Sequence, residues 1–234
     1  MKVDIWSDIR CPFCYVGKKK FEKALEQFPN SEKIKINWQS FQLDPNLKTQ
    51  PDTNPYNYFS KAKGISVTQA KAMHEHAKNA GKEAGIDFNF DDSKVANSFR
   101  GHLLIQLAKK MDLSNEMEEA LFEAQFITGK NIDDEVTLFE VGKSVGLAEE
   151  DIKNALQSDE MAHAVAQDGL MARQLGINAV PFFVFNDKYA VSGAQQPEHF
   201  LEVLEKSWSE FSAGDKGLQI ISQGERCDVE GNCD

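Results

Sequence analysis

Val3 and Ile5 alternate with polar neighbours in "KVDIWS", residues 2 to 7, a period-two pattern that predicts a short strand. The following stretch, "CPFCYVGKKKFEKALEQF", sets Cys14, Phe21, Leu25 and Phe28 at spacings of seven, four and three. Those spacings lay the four side chains along one face of a helix. Period two returns in "KIKINWQSFQL", residues 33 to 43, where Ile34, Ile36 and Trp38 alternate before Phe41 and Leu43. Strand, helix and strand in that order predict a βαβ unit with parallel strands and a right-handed crossover.

From residue 54 to residue 177 the pattern is helical almost throughout, a block of about 120 residues, close to the commonest domain size. Ser66 with Gln69 three positions on fits a capping box, and Ser93, Ser114 and Asp134 each precede an amphipathic run. Gly85, Gly129 and Gly146 fall where helices can stop. Sheet pattern then resumes: "PFFVF" and "YAVSG" are separated by "NDK", residues that tolerate positive φ, which predicts a hairpin. Pro197 suits a helix first turn, with Phe200, Leu201, Leu204 and Trp208 on the inner face. Residues 213–234 show little periodicity and read as a tail.

The 234 residues include 41% hydrophobic and 27% charged side chains, ordinary globular values that argue against disorder. A formal net charge of −11 and the lack of a basic, aromatic-rich block make nucleic acid an unsuitable partner. No apolar run is long enough to span a membrane, and "MKVDIWSD" lacks the features of a signal peptide, so the expectation is a cytoplasmic protein with no membrane partner.

In that reducing compartment, cysteine pairs serve redox chemistry or metal binding more often than they staple a fold. The four cysteines form two pairs, Cys11 with Cys14 and Cys227 with Cys233. The first pair, C-P-F-C, stands between the first strand and the first helix.

The segments "SDIRCPFCYVGKKKFE" (7 to 22), "SFQLDPN" (40 to 46), "GINAVPFFVF" (176 to 185) and "VSGAQQPEHF" (191 to 200) resemble the DsbA-like branch of the thioredoxin fold. Within that branch they resemble the FrnE-like oxidoreductases, over roughly residues 3 to 210. The resemblance implies an α/β, thioredoxin-like fold with a large all-helical domain inserted between the βαβ unit and a cis-proline hairpin. Residues 1–54 and 177–212 would form the thioredoxin-like domain, 55–176 the insertion, and 213–234 a tail carrying the second cysteine pair. It implies a thiol:disulfide oxidoreductase that needs no cofactor, acts on protein or peptide thiols and disulfides, and is recycled by glutathione or thioredoxin. It also implies that Pro181 is the cis-proline facing the dithiol, with Val180 pairing to an extended substrate. FrnE-like members carry an additional C-terminal pair, so Cys227 and Cys233 are candidates for a second redox couple. The same superfamily holds glutathione-dependent transferases and isomerases, in which serine commonly stands where this chain has Cys11.

Backbone N–H groups and the dipole at a helix start favour a thiolate, which makes Cys11 the candidate nucleophile. Cys14, one turn deeper and shielded by Phe13 and Tyr15, is the candidate resolving thiol. Pro12 fits the first turn, where its missing donor is no loss, and with Phe13 it forms the surface a substrate meets. Arg10 adds positive charge if its side chain turns inward.

Other readings compete. C-P-x-C also occurs in zinc sites, but a four-cysteine site would need Cys227 and Cys233, whose C-x5-C spacing is wider than usual for ligands. A non-enzymatic metal-binding or chaperone module, or a glutathione-dependent transferase or isomerase of the same fold, are the alternatives. His74 and His76 point their rings far apart on a helix and read as surface residues. His102 lies beside an apolar helix face and is either a packing residue or a neighbour of the dithiol.

Neither Pro12 nor Phe13 carries a cation or a hydrogen-bond donor toward the sulfurs. The reduction potential of the Cys11/Cys14 couple is therefore expected to be more negative than the about −120 mV of strong oxidants of this kind. Equilibration with glutathione and mass mapping measures it, and a value as high as that figure would refute the expectation.

Overall fold

Alternation puts Val3 and Ile5 on one side of the first strand and Trp6 on the other, and each side finds its own cover. The computed structural model describes residues 1–214 and begins with that strand, β1 (Lys2–Ser7). Helix α1 (Pro12–Gln27) follows, then a 3-10 turn at Ser31–Lys33 and β2 (Lys35–Ser40), which pairs in parallel with β1. After the helical insertion come β3 (Phe182–Phe185), β4 (Tyr189–Ser192) and the closing helix α9 (Pro197–Ser212). The sheet order is β2-β1-β3-β4, with β3 antiparallel to both neighbours. This is the expected thioredoxin-like arrangement.

Val3 and Ile5 join Trp38, Phe183 and Phe185 against Phe21 of α1 and Phe200 of α9. The Phe21 ring centroid lies 5.5 Å from that of Phe183 and 5.6 Å from that of Phe200. Trp6 packs with Ala172 and Ile177, and its indole N–H donates to the Asp168 carbonyl at 3.1 Å. Burial of this many aromatic and branched side chains is the main force closing the sheet, at about 25 cal/mol per Å² of apolar surface. The second strand is shorter than the alternation suggests. Among the described residues it is an edge strand that pairs with β1 alone, and the register runs only from Lys2↔Lys35 to Ser7↔Ser40. The β3–β4 turn takes positive φ at Asn186 and Asp187, as expected.

Between β2 and β3 the chain forms α2 (Pro55–Lys63), α3 (Val67–Glu83), α4 (Phe99–Lys110), α5 (Ser114–Phe126), α6 (Glu135–Ser144), α7 (Glu149–Ala155) and α8 (Asp159–Gln174). The Ser66–Gln69 capping box forms, and Asp134 accepts from the Thr137 N–H at 3.0 Å to cap α6. Gly85, Gly129 and Gly146 adopt left-handed backbone after their helices. Two expected caps fail. Ser114 is the first residue of α5, with Leu113 before it. Ser93 starts no helix, because residues 85–98 cross the insertion without helical structure. Phe88, Phe90 and Val95 are buried along this crossing. The Ser93 hydroxyl serves the carbonyls of Asn89 and Gln125, at 3.1 Å each.

Two polar connections fasten the insertion to the sheet. On one side Asp168 of α8 accepts from the Ser40 N–H at 2.8 Å and from Gln106 Nε2 at 2.6 Å. On the other, buried Lys18 of α1 reaches Glu119 of α5 at 2.6 Å and Glu22 at 2.5 Å, while the Tyr15 hydroxyl donates to Glu119 at 2.7 Å. Buried charges need this completeness of pairing, since an isolated one is strongly destabilising. No helix among the described residues is long and apolar enough to cross a membrane.

Asp168→Ala strands the Ser40 N–H in a buried site and takes from Gln106 Nε2 one of its two acceptors, leaving it only Ser40 Oγ. The expected cost is about 3 kcal/mol, seen as a drop of roughly 6 to 12 °C in Tm by calorimetry. A variant that melts within a degree of wild type would show that the contact is dispensable.

Candidate active site

A carboxylate without exposure shapes the turn that carries the first cysteine pair. Asp8, immediately after β1, is fully buried. One of its oxygens accepts from the Arg10 N–H at 3.1 Å and the other from the Leu43 N–H at 2.7 Å. Its main-chain carbonyl accepts from the Cys11 N–H at 2.8 Å. Burial by itself raises the Asp8 carboxyl, but His102 and the Leu43 and Arg10 donors outweigh it and hold the group below its ordinary value. The His102 Nε2 lies 3.7 Å from Asp8 Oδ1.

This turn delivers Cys11 as the residue capping α1, in extended conformation, with Pro12 opening the helix. The Cys14 N–H donates back to the Cys11 carbonyl at 3.0 Å, so the two cysteines bracket the first helical turn. Both are free thiols in this structure. Cys11 keeps 7% exposure and Cys14 only 1%, a difference that leaves a single sulfur open to a partner. Burial first, and then the neighbouring Cys11 sulfur, push the Cys14 thiol well above its ordinary value.

The Cys11 thiol donates to the Val180 carbonyl at 3.6 Å. The Val180–Pro181 peptide bond is cis. Pro181 lies against α1 because residue 17 is glycine: a Cβ built there would stand 2.9 Å from Pro181 Cγ. The Val180 N–H has no hydrogen-bond partner among the described residues.

The structure thus gathers Cys11, Cys14, Val180 and Pro181 at the start of α1. Pro12 and Phe13 stand beside them on the wall of an apolar pocket of about 330 Å³. His102 meets Asp8 beneath the turn, not a sulfur. Cys227 and Cys233 lie outside the described residues.

Tyr15 shares a buried apolar cluster with Cys14 and stacks on Phe122 of α5 with ring centroids 4.9 Å apart. His74 departs furthest from expectation. It is half buried, with its ring among those of Tyr56, Phe59 and Phe90 at 5.0, 5.0 and 4.9 Å. The crossing segment and α2 fold over α3 and close above it, which no helical period reveals. Asp8 and Gly17 were not among the sequence candidates. An Asp two residues before a turn amide and a lone Gly inside a helix are the signals that could have found them.

A model of the DsbA-like thioredoxin domain matches residues 2–205. The chain belongs to this family. It is a disulfide oxidoreductase of DsbA-like type, with its cysteine pair at the start of α1. The crystal structure of a probable DsbA oxidoreductase from Streptomyces coelicolor is 32% identical, with 100% of this chain and 98% of that one covered and a TM-score of 0.83. YwbO of Bacillus subtilis is 27% identical over 207 residues, 86% of this chain and 94% of that protein. The cytosolic disulfide reductase DsbM of Pseudomonas aeruginosa, solved with GSH, shares the fold at 16% identity and a TM-score of 0.65, covering 89% of this chain and all of that one.

One buried acid beside this DsbA-like site titrates near neutrality. Glu118 of α5 is 1% exposed, and burial pushes its carboxyl up from 4.5 to about 7 against the pull of Ser7, His102 and Lys18. A raised carboxyl stabilises the folded state fully below pH 4.5 and loses that contribution as pH rises through 7. Wild type should therefore lose up to about 3 kcal/mol of unfolding free energy between about pH 5 and pH 8 that Glu118→Gln does not lose. Urea unfolding of both proteins at the two pH values measures the difference. Parallel losses would show that Glu118 is not the titrating group.

Proposed function

We propose that the protein reduces or forms disulfides in protein or peptide substrates through Cys11 as nucleophile and Cys14 as resolving thiol. One observation supports this most directly: the more open sulfur, at the mouth of α1, touches the Val180 carbonyl above a more deeply buried thiol. In the reducing direction the Cys11 thiolate attacks one sulfur of a substrate disulfide. A mixed disulfide forms and a substrate thiolate leaves. Cys14 then gives up its proton and attacks Cys11 sulfur, the second substrate thiol departs, and Cys11–Cys14 holds the bridge. Two electrons have passed to the substrate. The oxidising direction is the same sequence reversed.

Val180 serves substrate alignment in this proposal. Its N–H, unpaired among the described residues, can donate to an extended peptide laid beside the dithiol, in the manner of strand addition. Pro181 holds that loop against α1, and Pro12 and Phe13 supply apolar contact. Two molecules of glutathione, or one reduced thioredoxin, would return the Cys11–Cys14 bridge to thiols. The fold likeness to a cytosolic reductase solved with GSH is in keeping with that reductant and with action in the cytoplasm. The motifs at 7 to 22 and 176 to 185 support placement among FrnE-like members. For the C-terminal pair we propose a relay in which Cys227 and Cys233 exchange electrons with the first couple.

Cys11→Ser should abolish insulin reduction, whereas Cys14→Ser should leave a covalent mixed disulfide with the substrate, visible by mass spectrometry. If Cys14→Ser formed no adduct and retained glutathione-dependent conjugation or isomerisation, the dithiol mechanism would be wrong. Replacing Cys227 and Cys233 together by serine should slow recycling of the first pair while leaving a single reductive turnover intact.

A further inference from the structure

The pocket next to the dithiol has a composition that the mechanism above does not use. Its walls come from Pro12 and Phe13 at the start of α1, from α2 and α3, from the crossing segment, and from the end of α5. Phe59, Phe90 and Phe126 supply much of its apolar lining. Three cations stand among the lining residues: Arg10, Lys63 and Lys94. Among the described residues no Asp or Glu lines it, although the chain carries 37 acids against 26 bases. None of the three cations makes an ion pair among the described residues. Lys63 only overlies the Phe59 ring, 6.0 Å from its centroid. Of the acids adjacent in sequence to lining residues, Glu75 and Asp91 border a separate hollow with Lys71 and Lys78 on the other side of His74, and Asp92 accepts from Asn89 Nδ2 at 2.8 Å.

An apolar cavity rimmed by unpaired positive charge complements a ligand with an apolar body and a carboxylate. Arg10, Pro12 and Phe13 flank Cys11 in sequence, so a group seated here belongs to whatever molecule presents sulfur to Cys11. About 330 Å³ lies at the small end of ligand pockets. That volume suits an aromatic or large aliphatic side chain with the rest of a peptide outside. A peptide also satisfies the Val180 N–H, which a compact thiol would leave unmatched.

We propose that this pocket is a specificity site selecting peptide disulfides in which the half-cystine is followed by a large apolar residue and then an acidic one. The assignment rests on the dithiol mechanism proposed above. Lys63 and Lys94 set the charge preference, and they act on substrate affinity without taking part in the sulfur chemistry.

The test uses the full-length protein and disulfide-linked dimers of short peptides that carry Cys-Phe-Glu, Cys-Phe-Lys or Cys-Ala-Glu, with bis(2-hydroxyethyl) disulfide as a neutral probe. Wild type should reduce the Phe-Glu dimer with kcat/KM about tenfold above the Phe-Lys dimer, mostly through KM, and should also favour Phe over Ala. In the double variant Lys63→Glu, Lys94→Glu the charge preference should vanish or invert, and in Lys63→Gln, Lys94→Gln it should shrink. Turnover of the neutral probe should stay unchanged in both, which also reports an intact fold. Equal kcat/KM for the Glu and Lys dimers in wild type, or a preference that survives both double variants, would overturn the proposal. Faster reduction of glutathione disulfide than of every peptide dimer would overturn the peptide assignment. If wild type reduced none of the disulfides, including the neutral probe, the failure would lie in the proposed mechanism.

Discussion

Everything at the reactive end of the molecule depends on a buried carboxylate that must keep its charge. Asp8 has no exposure, so its ionised form survives only because two main-chain donors and His102 surround it. These three neighbours come from different parts of the chain. Arg10 belongs to the turn itself, Leu43 to the segment leaving β2, and His102 to α4 of the insertion. Satisfying one side chain therefore fixes three backbones relative to one another and leaves the Cys11 amide bonded to the Asp8 carbonyl. A buried, fully engaged acid of this kind favours one geometry over others more than it favours folding as such.

The same logic extends outward to the insertion. Helix α4 passes so close to the turn that a Cβ on Gly101 would meet Ile9 at 2.6 Å. On the far side of α1, Lys18, Lys19, Tyr15 and Glu119 couple that helix to α5. The helical block is thus locked to the redox turn on both flanks, and the pocket beside Pro12 and Phe13 exists because the block closes over it. Sheet and insertion act as one unit at this end.

Much of this arrangement was legible in the sequence because it is written in local period. The alternation in β1, the stripe of Phe21 and Phe28 on α1, the capping box at Ser66 and the turn residues Asn186 and Asp187 all describe near neighbours. The two cysteines and Pro181 were legible through their motif. What escaped depends on distant parts of the chain meeting: Asp8 with Leu43, Gly17 with Pro181, His74 with Phe90. The helical reading of Ser93 failed for the same reason. The residues around it are held by burial of Phe88 and Phe90 and by hydrogen bonds to α5, and this tertiary support outweighs the amphipathic pattern.

The contact between Gly17 and Pro181 works as a spacer gauge. A single absent methyl group sets how deeply the loop carrying Val180 seats against the helix, and so how wide a slot stands beside Cys11. Positions 17 and 181 are consequently not free to vary alone. A side chain at the first would force the loop outward, enlarging the slot and separating the Cys11 sulfur from its carbonyl neighbour. Slot width and the contact of the Cys11 sulfur with Val180 are set together, by one dimension.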